Sequence, residues 1–147
     1  MTQLSYVELQ RDMVSRRIVE DINHLLPQLS SSAPKCTPEW LDYVLASGTK
    51  IFAAFDGDKL VGTVLLAPMV ILVGQKDWIE DVVVDEDYRR MGIASKLMDM
   101  AEYVSHSRNA NSINLTSSPD RGPARFMYEA RGYVLRLTGV FRKAFRH

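Results

Sequence analysis

Cysteine is almost missing from this 147-residue chain, in which Cys36 stands alone. One thiol forms no intramolecular disulfide and builds no cysteine-only metal cage, so a reducing compartment is the default. His24, His106 and His147 have no Cys or His partner at metal-ligand spacing, and no metal site is expected. An excess of one charge is also absent. With 18 basic against 18 acidic side chains, global charge gives no reason to expect a nucleic-acid partner. The longest apolar run, LVGTVLLAPMVILVG, is broken by Gly62 and Pro68 and is too short to span a bilayer. The start, MTQLSYVELQRDM, has no sustained apolar stretch of the kind that marks a secretory signal. No membrane contact is expected, and the expected location is the cytoplasm.

What remains is the composition of a globular protein, 46% hydrophobic and 24% charged, enough to bury a core in one domain spanning residues 1–147. SYVELQ alternates as a first strand. From about Asp12 to Leu26, Val14, Ile18, Ile22 and Leu25 recur at helical spacing, with Pro27 as the expected stop. Thr37 and Pro38 offer a cap and a first turn for a short helix ending near Gly48. KIFAAF and KLVGTVLLAPMVIL flank the hairpin turn DGD, and GQKD is expected to turn the chain into WIEDVVV. Gly62 and Pro68 predict a bend, bulge or edge. Ile93, Leu97, Ala101 and Val104 line a helix, SINLTS is a strand, GPARFMYEAR a helix, and YVLRL and VFRKAF two final strands. This order predicts an α+β fold, a mixed, mostly antiparallel twisted sheet with helices on both faces, and a parallel crossover from WIEDVVV to SINLTS.

The chemistry gathers around VVVDEDYRRMGIASKLM. A strand runs through an acidic turn into an amphipathic helix, whose first N–H groups lack intrahelical partners and favour an anion. Gly92 lets an anion approach the backbone closely, Ala94 keeps that approach open, and Arg89 and Arg90 add forked donors. Taken alone, so short a pattern is better read as an ordinary loop with its arginines in solvent, because such patterns are common by chance. The segment resembles the acetyl-CoA signature of the GNAT superfamily of N-acetyltransferases, Arg/Gln-x-x-Gly-x-Gly/Ala, on Arg89, Gly92 and Ala94. The resemblance implies a pyrophosphate held by Arg89 and by the amides of Arg90, Met91, Gly92, Ile93, Ala94 and Ser95.

Downstream, ARFMYEARGY is similar to the family's closing motif on Ala124, Met127, Tyr128, Glu129, Gly132 and Tyr133. That similarity implies Tyr128 as the acid that receives the departing sulfur of coenzyme A. A packing tyrosine is the plainer alternative, since Ala124 and Tyr128 share a helix face.

In WIEDVVV, strict alternation sends Glu80 and Asp81 to opposite faces. A carboxylate in an apolar strand has a raised pKa unless it is paired, which suits a general base on an ammonium acceptor. Glu80 is taken as the base, and one of the two is expected in a structural ion pair with an arginine. The strand resembles that of the spermidine/spermine and glucosamine-6-phosphate branches of the family, and LLPQLS resembles the end of the first helix in the latter. These similarities imply Asp81, Gln28 and Ser30 on the acceptor side. The family also splays its fourth and fifth strands, which implies that the backbone of Val82, Val83 and Val84 binds the pantetheine arm and polarises the acetyl carbonyl. Many members have a cofactor-binding asparagine in the following loop, and Arg121 stands at the corresponding place.

The resemblance thus implies an acetyl-CoA-dependent enzyme acting on a small-molecule amine in a ternary complex. A protein lysine or N-terminal acetyltransferase and a non-catalytic acyl-CoA sensor are the alternatives. A homodimer, common in the family, is expected by analogy alone.

Overall fold

Alternating apolar positions bring five segments into one sheet: Leu4–Glu8 (β1), Lys50–Asp56 (β2), Lys59–Ile71 (β3), Gly74–Val84 (β4) and Ser112–Asn114 (β5). They hydrogen-bond in the order β1-β2-β3-β4-β5, antiparallel except for the parallel β4–β5 pair. This computed structural model describes residues 2–118 and 122–147. It divides into two compact units, Met1–Leu115 and Thr116–His147.

In the first unit, helices Arg16–Leu29 (α1) and Pro38–Ala46 (α2) cover one sheet face, and Ile93–Ser107 (α3) covers the other. Ile18, Val19, Ile22 and Leu25 of α1 and Leu41 of α2 pack with Ile51, Ala53, Phe55, Leu60 and Val83 of the sheet. Toward α3, a Cβ added at Gly62 would stand 3.2 Å from Ile93, and Leu97, Met98 and Ala101 are fully buried. Burying these side chains contributes roughly 1.5–3 kcal/mol for each large one.

Three boundaries differ from the sequence expectation. Ser15 accepts a hydrogen bond from the Ile18 N–H at 3.2 Å, so α1 starts at Arg16 and a separate 3-10 turn covers Arg11–Met13. Pro27 lies inside the last turn of α1 rather than ending it. A proline there removes a single intrahelical bond, that to the Asn23 carbonyl, while Leu26 and Leu29 still pack on the core. The β3–β4 turn sits at Leu72 and Val73, and GQKD belongs to β4. Gly74, at φ 132°, is needed at that point because a Cβ would collide with Asn111 Oδ1, which accepts from the Gln75 N–H at 3.0 Å. Pro68 lies beyond the last β2 partner, Lys50 opposite Leu66, so its missing N–H faces an edge without a ladder.

The second unit contains helix Gly122–Ala130 (α4). YVLRL and VFRKAF form no strand among the described residues, and Val134, Leu135, Leu137, Val140 and Phe141 are exposed. Their alternation gives them β-propensity, but a strand also needs a ladder partner.

Candidate active site

The strict alternation assumed for WIEDVVV breaks in the middle of β4. Leu65 of β3 opposes Glu80 and Thr63 opposes Val83, so β3 advances two residues while β4 advances three. Asp81 and Val82 together face Val64, which is a β-bulge. Asp81 takes φ 47°, a left-handed conformation that aspartate tolerates better than most residues. Its carbonyl accepts a hydrogen bond from Thr63 Oγ1 at 3.0 Å.

The bulge turns Asp81 toward the α1–α2 side, where it lines a cavity of about 580 Å³ together with Thr63 and Leu65. The consequence for charge is direct. Partial burial pushes the Asp81 carboxyl above the usual carboxylate range. Glu80, opposite the cavity residue Leu65, is raised by desolvation and then by the charge of Asp81. Both remain accessible to water, so the cleft desolvates them only in part. Among the described residues neither forms an ion pair, contrary to the expectation that one would meet an arginine.

That structural pair belongs to a residue the sequence reading passed over. Asp77 is completely buried; Arg108 holds it at 2.8 Å, and Ser105 and Gln75 donate at 2.7 and 3.0 Å. Burial alone would raise its pKa, but these donors outweigh it and hold the carboxyl below the usual range. The clue was available: Asp77 lies two residues before Ile79, on the same strand face, where a buried carboxylate requires a partner.

The outer wall of the cavity is set by α1, α2 and the loop between them. Asn23 clamps that loop, its amide donating to the Cys36 carbonyl at 2.9 Å and its oxygen accepting from the Cys36 N–H at 2.8 Å. Thr37 caps α2, accepting from the Trp40 N–H at 3.0 Å. Of the residues expected on the acceptor side, Ser30 and Asp81 line the cavity. Gln28 instead accepts from the Glu86 N–H at 2.9 Å, tying α1 to the loop after β4.

That loop is held from several sides. Tyr88 donates to Asp56 at 2.5 Å, the Asp87 N–H donates to Asp85 at 3.0 Å, and Arg89 Nε donates to the Val84 carbonyl at 3.3 Å. Arg90 and Gly92 both take left-handed backbone angles, φ 65° and 76°. Nothing lies within 4 Å of where a Gly92 Cβ would stand, and Arg89, Arg90, Met91, Gly92 and Ser95 are exposed. Ala94 is half-buried. Among the described residues no backbone hydrogen bond engages the N–H of Arg90, Met91 or Gly92. Ile93 is buried as a whole residue.

Between cavity and loop, β4 has an open edge. It pairs with β5 only through Lys76, Asp77 and Trp78. From Ile79 to Val84, which includes Val82, Val83 and Val84, that edge has no strand partner among the described residues. Apart from the Asp81 and Val84 carbonyls, engaged by Thr63 and Arg89, an extended chain of amides would meet backbone donors and acceptors without a strand partner there.

In the second unit, the closing motif has a local structural logic. The Tyr133 N–H donates to the Tyr128 carbonyl and the Gly132 N–H to the Glu129 carbonyl, both at 3.0 Å, with Gly132 at φ 94°. This is a Schellman ending for α4. Tyr133 also meets Tyr128 edge-on, with ring centroids 5.9 Å apart. Tyr128 is half-buried and held in this ending. Arg121 lies outside the described residues.

A model of the acetyltransferase (GNAT) family matches residues 17–133, a span that includes both the loop after β4 and the Tyr128 motif. The chain belongs to this family. Solved GNAT folds agree with the architecture. An aminoglycoside acetyltransferase from an uncultured soil metagenomic sample, in complex with sisomicin, superposes with a TM-score of 0.84 at 15% identity, covering 97% of each chain. Glucosamine-6-phosphate N-acetyltransferase from Arabidopsis thaliana gives 0.79 at 19% identity, over 98% of this chain and 99% of that one. A "predicted acetyltransferase with acetyl-CoA" from Clostridium acetobutylicum gives 0.75 at 16% identity, over 96% of each. At these identities the likeness is one of fold. Among curated proteins nothing matches the acetyltransferase sequence significantly. Among its described residues no group of three or more His, Cys, Asp or Glu could hold a metal ion, and no helix is long and apolar enough to cross a membrane.

Proposed function

We propose that this acetyltransferase uses acetyl-CoA to acetylate a small-molecule primary amine, by direct transfer in a ternary complex. The observation that carries the reading is an adjacency on one strand. Asp81, the cavity carboxylate, immediately precedes Val82, where the unpaired β4 edge leads toward the exposed amides of the loop.

In this reading acetyl-CoA supplies an activated acetyl group and a thiolate leaving group. The amides from Arg90 to Ser95 hold the pyrophosphate, assisted by Arg89, and the β4 edge binds the pantetheine arm. Asp81 holds the acceptor ammonium, and Glu80 takes its proton directly or through a water. The freed nitrogen lone pair attacks the acetyl carbon, whose oxygen is polarised by an N–H near Val82 or Val83. The new C–N bond replaces the C–S bond; the Tyr128 hydroxyl gives its proton to the departing sulfur, and the second proton that the nitrogen sheds as the amide forms returns to the tyrosine through solvent, a role for Tyr128 that rests on the motif alone. A concave cavity of about 580 Å³ suits a small acceptor better than a protein segment, which needs an open groove.

The test is a screen of amines and peptides with detection of the free thiol of released coenzyme A, run on wild type and Tyr128→Phe. Turnover of an amine by wild type, with a loss of about 100-fold or more in the variant at unchanged acetyl-CoA affinity, is expected. Acetyl-CoA binding without turnover of any acceptor would favour an acyl-CoA sensor instead.

A further inference from the structure

The walls of the cavity say what kind of amine it takes. Leu26 and Leu29 of α1, Trp40 and Val44 of α2, and Ile51 and Leu65 of the sheet line it. Among the described residues, its charged lining side chains are Asp81 and Lys35. The Thr63 hydroxyl is already engaged by the Asp81 carbonyl, so it is not a ready donor for a ligand. Among the described lining residues, charged recognition in this space therefore rests on Asp81 on the bulge, with Glu80 beside it, and on Lys35 from the segment after α1; the remaining polar side chains are Ser30, Cys36 and Thr63.

We infer that the acceptor is a monoamine with an apolar body, an alkyl or arylalkyl amine whose single ammonium meets Asp81 while its carbon skeleton lies against the leucines and Trp40. This deepens the proposed function and rests on it. A polyamine or an aminoglycoside carries several ammonium groups, and those beyond reach of Asp81 and the neighbouring Glu80 would lie against apolar walls without a counter-charge. A sugar phosphate brings a dianion and a ring of hydroxyls, for which one lysine and the Ser30 hydroxyl, itself engaged with Ser32, offer too few partners. The two neighbours with named sugar acceptors share the fold, while the lining here has the character of an apolar site. Each methylene removed from water adds affinity, so within a homologous series the gain is about fourfold per carbon until the cavity is full.

Two measurements test this on the full chain. The first is kcat/KM for n-butylamine, n-hexylamine and 2-phenylethylamine against spermidine, glucosamine-6-phosphate and sisomicin. The second is calorimetric binding of 2-phenylethylamine in the presence of coenzyme A. The expected result is a rise of about fourfold per methylene along the alkyl series, with the polar acceptors at least about tenfold poorer. Trp40, more than half exposed, can be truncated with little risk to the fold. Trp40→Ala should cut kcat/KM for 2-phenylethylamine about tenfold and leave acetyl-CoA affinity unchanged. If 2-phenylethylamine binds and Trp40→Ala weakens it, but no amine is acetylated, the pocket assignment holds and the transferase reading falls. If a polar acceptor is turned over while the apolar amines neither bind nor react, the transferase reading holds and this inference is overturned. Absence of both binding and turnover with the apolar amines also overturns it.

Discussion

Thr63 Oγ1 donates a hydrogen bond to the Asp81 carbonyl at 3.0 Å, across the point where β4 carries one residue more than β3. The contact gives the bulge a fixed polar partner and leaves the Asp81 side chain turned into the cavity. The carboxylate stays accessible to water but is desolvated in part by the cleft. In the proposed mechanism, stability and acceptor binding therefore conflict at this residue.

Asp81→Asn exposes that conflict. Because the folded-state pKa is raised, ionisation costs stability at pH above the folded value, and the cost vanishes below the unfolded one. Asparagine removes the charge and tolerates φ 47°. Its Tm should exceed that of wild type at pH 7–8, with the difference shrinking as pH falls, while KM for the amine rises. A variant less stable than wild type at pH 8 would contradict the assignment. Thr63→Val should behave oppositely, losing about 1 kcal/mol from the unpaired carbonyl at every pH.

In the proposed mechanism Glu80 sets the acid limb of activity. Desolvation and the neighbouring Asp81 raise its pKa, so the base form is lost at a higher pH than for an ordinary glutamate. The kcat/KM profile should therefore fall with decreasing pH from above the usual carboxylate range. Glu80→Gln should remove that limb and lower kcat about 100-fold. An unaltered profile in the variant would assign the proton to another group.

Asp77→Ala leaves Arg108 unpaired against a buried strand and should cost about 3–5 kcal/mol, read as a shift in the denaturant midpoint at constant slope. In wild type the depressed Asp77 pKa makes the pair's stability present above the unfolded carboxylate pKa, and lost as pH falls through the folded one. The variant should lack this component of acid unfolding. A loss below about 1 kcal/mol would mean that the site relaxes around the arginine.

Gly92→Val tests whether backbone or side chains seat the pyrophosphate. The substitution fills the open space above the loop and strains a left-handed residue. Acetyl-CoA affinity should fall more than about tenfold, and more than in Arg89→Ala or Arg90→Ala. An affinity equal to wild type would remove the amides from the site.

Much of the fold was legible because its signals are local. The hairpin at DGD, the capped start of α2 at Thr37 and Pro38, the periodic face of α3 and the edge position of Pro68 each follow from side chains within a few residues. The misread boundaries have non-local causes. The hairpin turn moved to Leu72 and Val73 because Asn111, from a distant loop, pairs with Gln75 where a side chain at Gly74 would stand. YVLRL and VFRKAF read as strands because alternation encodes propensity, while pairing depends on a partner that no single segment specifies.

Two motifs with consistent spacing made the family readable from the chain itself, because glycine positions and helix starts are written locally. The sequence alone determined the loop of amides, the order of strands and helices, and the presence of two adjacent carboxylates. Only the tertiary structure decided where those carboxylates stand. One extra residue in β4, measured against β3, reorients Asp81 into an apolar cavity built by α1 and α2, while Asp77 becomes the carboxylate buried against Arg108. A bulge is a relation between two strands, and burial is a relation among all the elements that cover a site; neither exists in a single segment of chain.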